Sequence, residues 1–355
     1  MLKFRSVAVA LFCTGLITSF GAQASQVNIY GKIDASVLTG KTRHGAATVQ
    51  LKSGFTAGSR WGIKGVEDLG NGYKVGFILE QGFTIDDGAE GGTNQAFNRE
   101  SSLYLDGSFG RVTFGRLGTL GFAQSTGILR GAVFGVTHGA SGWASGTTSL
   151  HFSRVDNAVA YSTPSFGNVS VHAMYSNGTN TDDSENKWSK NNHYYGLGAL
   201  YRSKEASGSV IFEAMDYKNE TGIKHNPLYH LTIGGYWQIG QIRPMAIYQY
   251  QWGEDRYKQH TAQVGTQIKI GAGTAKLGFK YITRKVDGKG TLIQNEKKAN
   301  LWNIGAGYEY PFSKRTKVYG FAGYVDGGKG WGKGTCLKTT NLNGYQIAFG
   351  MVHDF

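Results

Sequence analysis

From Val27 onward the chain alternates with a period of two. Val27, Ile29, Ile33 and Val37 fall on one side of an extended backbone, and Asn28, Lys32, Asp34 and Ser36 on the other. Successive side chains of a strand point to opposite faces, so this segment is a strand with one apolar and one charged face. The texture repeats to the C-terminus: an alternating segment, a short turn, a second alternating segment, then a longer polar stretch. After the N-terminal leader no apolar run approaches the ~18 residues that a membrane helix needs, and mean hydropathy is −0.31. A soluble sandwich would turn the apolar face into a core. A membrane barrel would turn it toward lipid and leave the charges inside. One strand cannot separate these, but the number of strands can.

Short turns are marked by Glu67-Asp68-Leu69-Gly70-Asn71-Gly72, Asp106-Gly107-Ser108-Phe109-Gly110, Thr163-Pro164-Ser165-Phe166-Gly167, Gly271-Ala272-Gly273 and Tyr310-Pro311-Phe312-Ser313. Gly supplies positive φ, Pro presets the turn, and Asp and Asn tolerate both. Long polar stretches fall near residues 39–48, 82–97, 117–152, 177–191, 218–227, 253–259, 285–298 and 326–342. Eight long loops on one side mean eight hairpins and sixteen strands. The fold expected is all-β, a sixteen-stranded antiparallel transmembrane β-barrel with short turns on one rim and long exterior loops on the other. A barrel of that size is too wide for side chains to fill and encloses water. The 54 Gly, 20 Tyr and 19 Phe against 4 Pro suit many strands joined by tight turns.

The N-terminus fixes the compartment. Lys3 and Arg5 precede an apolar run from Val7 to Phe20, and Ala22-Gln23-Ala24 gives a small-x-small cleavage pattern. Residues 1–24 read as a secretory signal peptide and residues 25–355 as a single barrel domain. The apolar run is too short for a comfortable membrane anchor, and the bulky Phe12 before Cys13 argues against a lipoprotein signal. Only Cys336 remains after cleavage, so no internal disulfide can form. Net charge is +13. Export makes nucleic acid an improbable partner, and no run of five or six like charges marks a basic tail. Small anions and anionic lipid remain as partners for a basic chain.

The last strand adds an independent mark. Tyr345, Ile347, Phe349, Met351 and Phe355 share one face, with His353 in phase, and the chain ends on Phe355. A terminal aromatic on such a strand is similar to the signal by which outer-membrane barrels are recognised for assembly.

Several segments, in order along the whole mature chain, resemble the general porins of Gram-negative bacteria, especially the trimeric porins of Neisseria and the β-proteobacteria. They are Val27-Asn28-Ile29-Tyr30-Gly31-Lys32-Ile33-Asp34; Ser59-Arg60-Trp61-Gly62-Ile63-Lys64-Gly65-Val66-Glu67-Asp68-Leu69-Gly70-Asn71-Gly72; Leu79-Glu80-Gln81-Gly82-Phe83; Asn98-Arg99; and Phe109-Gly110-Arg111-Val112-Thr113-Phe114-Gly115-Arg116. Arg154-Val155-Asp156-Asn157-Ala158-Val159-Ala160-Tyr161-Ser162-Thr163-Pro164 and Val352-His353-Asp354-Phe355 complete the set. The resemblance implies an outer-membrane homotrimer, in contact with lipid and lipopolysaccharide, that passes small hydrophilic solutes and ions. It also implies that the third long loop, about Leu117 to Phe152, folds into the barrel and narrows it.

Such a channel makes no bonds. Its chemistry is steric exclusion plus electrostatics in a narrow passage, so no catalytic residues, cofactor or metal site are expected. Alternation places Trp61 and Ile63 on lipid, hence Arg60, Gly62 and Lys64 in the lumen. It places Val75, Phe77 and Leu79 on lipid, hence Lys74 and Glu80 inside. It places Val155, Val159 and Tyr161 outward, hence Arg154 and Asp156 inward. The resemblance further implies a basic cluster opposite the folded loop, at Arg60, Arg99 and Arg154. Arg99 fits poorly, because strict alternation from Leu103 and Leu105 puts it on the lipid side unless a bulge intervenes.

The third loop departs from a pattern common among porins. No Asp or Glu stands between Asp106 and Asp156, whereas Arg111, Arg116, Arg130, His138, His151 and Arg154 do. Arg116 and Arg130 are the loop's own candidate constriction charges. At ~5 Å and an effective dielectric of 20, one unit charge contributes roughly 3 kcal/mol before screening, so unopposed arginines should favour anions. Glu80, Glu100 and Asp34 are the acids available to line an opposite wall.

Other motifs are weaker. Gly327-Gly328-Lys329-Gly330-Trp331-Gly332-Lys333-Gly334 approaches a phosphate-binding loop but has Gly334 where Ser or Thr must hold Mg²⁺, and reads as an exterior loop. Asp182-Asp183-Ser184-Glu185 reads as a solvated loop tip rather than a Ca²⁺ site. His138, His151 and Ser153 show no readable hydrolase geometry. Three competing functions stay open: a substrate-specific channel, to which Trp143 and Phe152 would contribute an aromatic path; an adhesin or receptor using the barrel as scaffold; and a barrel enzyme, for which no catalytic cluster is found.

Overall fold

The structure, a computed structural model, describes residues 26–42, 45–92, 95–122, 152–179, 190–218, 226–254, 257–286, 298–327 and 343–355. Its strands are β1 Gln26–Thr42, β2 Thr48–Ser53, β3 Arg60–Gly70, β4 Tyr73–Gly82, β5 Glu100–Gly107, β6 Gly110–Gly118, β7 Arg154–Ser162, β8 Val169–Asn177 and β9 His193–Arg202. They continue as β10 Ala206–Asp216, β11 Leu228–Trp237, β12 Ile242–Trp252, β13 Tyr257–Ile270, β14 Gly273–Val286, β15 Lys298–Pro311, β16 Thr316–Asp326 and β17 Gly344–Asp354. From β3 onward each strand pairs antiparallel with the next. β17 returns to β1 in a register running from Lys32 opposite Asp354 to Thr42 opposite Gly344. The sheet therefore closes on itself as a barrel, pairing backbone polar groups within the wall as lipid demands.

Both β2 and β3 pair with β1, through Ala35–Gly40 and Gln26–Lys32 respectively. They are two halves of one wall strand, so the wall has sixteen strands, as the loop count predicts. Seven short connections join strands on the opposite rim, and those at 203–205 and 238–241, between β9 and β10 and between β11 and β12, were not among the turns legible in the sequence.

Alternation is realised as a wall with lipid outside. Val27, Ile29 and Val37 are exposed on the outer face, while Asp34 and Ser36 are buried inside. Leu197, Val210, Ile233, Val264 and Ile304 repeat this outward pattern around the barrel. Tyr73, Phe109, Phe166, Trp237 and Phe312 lie exposed near the short-turn rim. Near the long-loop rim Tyr229, Tyr250 and Trp252 stack with centroids 5.4 and 4.9 Å apart. Two such aromatic bands are what the two membrane interfaces favour.

Two features inside the barrel break the regular wall. Between β2 and β3, residues 54–59 fold inward. Gly54 opens the break at φ +70°, and Phe55, 1% exposed, packs with Leu38, Tyr319, Phe321, Ala348 and Val352. Asp34 holds this segment: its Oδ2 accepts Thr56 N at 2.7 Å, Thr56 Oγ1 at 2.7 Å and Ala57 N at 2.8 Å, and its Oδ1 accepts the Tyr319 hydroxyl at 2.8 Å. At the second feature, the end of β6 and the start of β7, Leu117, Leu120, Phe152 and Val155 join Met174, Tyr194 and Ile211 in a larger interior cluster. Val155 was expected on lipid. It is fully buried instead, because the β6–β7 pairing shifts register between Gly115 and Leu117 and Asn157 takes φ +49°. A bulge of this kind changes the phase of alternation and re-aims side chains.

The signal-peptide reading of residues 1–24 falls outside the described residues. So does the middle of the third long loop, residues 123–151, with Arg130, His138, Trp143 and His151. The phosphate-loop-like stretch from Gly328 onward and Asp182 to Glu185 also lie outside them.

Candidate functional site

Two arginines share one carboxylate, and two more attach to the short stretch of chain just before β5. Glu80, near the end of β4, is the hub. It lies in register with Gly62 on β3 and Glu100 on β5, and faces the lumen with them. Its Oε1 accepts Arg99 Nε at 2.7 Å, and its Oε2 lies 3.2 Å from Arg60 Nε and accepts the Tyr30 hydroxyl at 3.1 Å. One carboxylate thus serves two guanidiniums. Arg60 also donates to the Gly58 carbonyl at 2.9 Å, so the inward fold of residues 54–59 helps to aim it. Gly58 itself lies under Arg99: a Cβ there would stand 2.9 Å from Arg99 Nη1.

Arg99 resolves the conflict in the alternation. It precedes β5, which begins at Glu100, so it is not bound by the phase of Leu103 and Leu105. Its backbone N–H bonds to Glu80 O at 3.1 Å, and its side chain turns to the Glu80 carboxylate. Arg116 and Arg154 attach to the same stretch through its carbonyls. Arg116 Nε donates to Asn98 O at 2.7 Å, and Arg154 Nε donates to Arg99 O at 2.7 Å. Arg116 also pairs with Asp156, and Arg154 lies over the Phe122 ring at 4.6 Å. Arg116 keeps the outward phase of the exposed Phe114, since β5 and β6 pair without a register shift and Leu117 turns inward; the extra residue of the bulge lies on β7, where Asp156 and Asn157 stand against Arg116 alone.

Lys64 stands beside the cluster, 5.0 Å from the Tyr30 ring centroid. Lys74 does not join it. It sits opposite Asp106 near the 71–72 turn, six residues along β4 from Glu80, roughly 20 Å at the rise of a strand. Around this cluster, four arginines and Lys64 face Glu80, Glu100 and Asp156 among the described residues.

The acids considered for an opposite wall are not there. Glu80 and Glu100 stand among the arginines, and Asp34 is committed to the inward segment. The wall eight strands from β6 is β14, and its lumen face carries three more cations, Lys276, Lys280 and Arg284, all buried. Each is in register with a glutamine of β13: Gln267, Gln263 and Gln259 respectively. Arg284 Nε donates to Gln259 Oε1 at 2.8 Å, and Lys276 pairs with Glu309 at 2.8 Å. Sequence reasoning missed this column. Its signal was present: Lys276, Lys280 and Arg284 alternate with Leu277, Phe279 and Tyr281, which face lipid.

Phe355 closes the barrel. Its backbone exchanges two 3.1 Å hydrogen bonds with Gly31, while Lys32 pairs with Asp354. The aromatic ring occupies the space a side chain at position 31 would need, with a Cβ there 2.1 Å from the ring.

A family model described as Gram-negative porin matches residues 6–330. An outer membrane porin protein of Bordetella pertussis is 25% identical over 89% of this chain and 93% of its own length. A major outer membrane protein of Neisseria meningitidis serogroup B is 27% identical over 88% of this chain and 91% of its own. Among solved structures, an anion-selective porin from Comamonas acidovorans superposes with a TM-score of 0.73 at 22% identity, covering 94% of this chain and all of that one. A trimeric outer membrane protein of Vibrio cholerae superposes with a TM-score of 0.68 at 17% identity, over 94% of this chain and all of that one.

Proposed function

Because the chain belongs to the Gram-negative porin family, we propose that it forms a water-filled diffusion channel for small hydrophilic solutes, with an arginine-lined constriction that prefers anions. Its place is the cell outer membrane, as for its relatives. The observation that carries the anion preference is the sharing of Glu80 by Arg60 and Arg99, with Arg154 donating to the Arg99 carbonyl beside them. It is supported by the lack of any acid between Asp106 and Asp156. The Comamonas structure with the same fold is named for anion selectivity, which agrees.

The pairing of Glu80 with two arginines sets the strength of the effect. A shared carboxylate orients both guanidiniums but neutralises one charge, so the cluster keeps a positive surplus at a water-filled passage where screening is partial. We assign Lys64 to the same basic wall and Lys74 to the short-turn rim. A homotrimer in contact with lipid and lipopolysaccharide is the assembly this reading entails, in line with the trimeric form of the Vibrio relative in fold. Reversal potentials of the reconstituted protein in a KCl gradient test it: preference for chloride supports the arginine constriction, and preference for potassium removes it.

A further inference from the structure

The inward segment 54–59 is fastened along its length. Asp34 takes hold of its middle through Thr56 and Ala57. Ser59 closes it: its Oγ accepts Asp34 N at 3.1 Å and donates to Asp34 O at 3.3 Å. Phe55 anchors the other end, its ring centroid 5.8 Å from that of Tyr319 and 5.4 Å from that of Phe321. Ser59 O accepts Phe83 N at 3.1 Å. The segment is thus tied to β1, to β16 and to the chain just past β4.

What it carries is one side of a slot. Gly58 and Gly82 flank the Arg99 side chain. The three atoms nearest to a Cβ built at Gly58 all belong to Arg99, with Nη1 at 2.9 Å. A Cβ at Gly82 would stand 3.1 Å from Arg99 Cδ and 3.4 Å from its Cγ. Neither glycine takes a positive φ, so the backbone would admit another residue at both positions. What a larger residue would meet there is Arg99. Gly82 lies opposite Arg60 in the β3–β4 register, and Arg60 donates to Gly58 O at 2.9 Å. The same two glycines therefore border both arginines that share Glu80. Arg60 and Arg99 keep 24% and 20% of their side chains exposed, whereas Asp34, Phe55 and Ser59 behind them are buried. The charges meet water and their supports do not. Fixing a long, flexible side chain costs rotamer entropy, and a slot with walls on both sides restricts the places its charge can take.

We propose that Gly58 and Gly82, with Asp34 behind the inward segment, are positioning residues for selectivity: they hold the Arg99 guanidinium on Glu80 and so set how strongly the passage prefers anions. This rests on the anion-preferring channel reading above. The test is the reversal potential of the purified protein and its variants in planar bilayers across a KCl gradient. Heat-modifiable mobility on gels reports that each barrel has folded. Gly58→Ala changes no charge. It should push the guanidinium off Glu80, uncover a carboxylate oxygen to the passage and lower the chloride-to-potassium permeability ratio about twofold at partial screening. In an Arg99→Gln background the same change should do nothing further, because it acts through Arg99. Asp34→Ala releases the segment and should also lower the ratio. Asp34→Asn, whose amide oxygen can replace Oδ2 as the acceptor, should restore it. A mere loss of negative charge at position 34 would act in the opposite direction and raise the ratio in both variants. Should Asp34→Ala not fold, Gly82→Ala presses on the same side chain from β4 and should lower the ratio likewise. The proposal is overturned if Gly58→Ala keeps the wild-type ratio, or if it lowers the ratio as much without the Arg99 guanidinium as with it. A wild-type protein that prefers potassium overturns the channel reading and this proposal with it.

Discussion

The economy of the constriction lies in Glu80. A carboxylate between two guanidiniums holds both in one geometry with one negative charge, and charge-assisted bonds of this kind are the stronger sort. Removing that charge while keeping the shape should strengthen anion preference. Glu80→Gln is expected to raise the chloride-to-potassium permeability ratio by roughly threefold, allowing for screening, and Arg99→Gln to lower it by a similar factor. Reversal potentials of the two variants measured side by side check the pair; movement in the same direction for both would show that neither charge faces the permeating ion. Position 34 works differently. Asp34 is charged and inside the barrel, but four donors consume it. From the sequence it looked like a pore charge, since alternation reports which face a residue is on and not what it meets there.

At the scale of elements, the inward fold of residues 54–59 and the closure of β1 on β17 are the parts to test. Phe55→Ala empties the centre of the cluster formed with Leu38, Tyr319 and Phe321, and large-to-small changes of this type cost about 3 kcal/mol. The variant should lose its compact gel form at a lower temperature than the wild type; an unchanged transition would mean that the segment is held by Asp34 alone. Gly31→Val places a side chain where the Phe355 ring lies and should slow the appearance of the compact form during refolding into detergent. Refolding at the wild-type rate would show that ring and glycine need not meet for closure. These elements also show what the sequence made legible. Period-two alternation and Gly-rich turns are local and survive into the fold, so sixteen strands and eight long loops could be counted. The turn at Ser203-Lys204-Glu205 carries no Gly or Pro and was invisible. The break at 54–59 was missed because Phe55 reads as one more apolar residue, and only contacts with β16 and β17, far along the chain, show where it points. The cluster at Arg60, Arg99 and Arg154 came from the family resemblance, and the extra residue at Asp156-Asn157 of β7 that turns Val155 inward is a long-range register effect that no single segment announces.

The whole molecule is a closed antiparallel wall, apolar outside, with residues 54–59 folded inward and basic groups on the lumen side. Fold alone would serve many solutes; the charge distribution narrows the choice. An arginine cluster on the β3 to β7 side and a third loop devoid of acids both bias the passage in one direction. The central claim is that this bias is felt by permeating ions. Its most direct measurement is the zero-current potential of the wild-type channel across a KCl gradient. The expected sign is the one that reports chloride as the more permeant ion; a potential of the opposite sign, with potassium more permeant, would contradict an arginine-lined, anion-preferring passage.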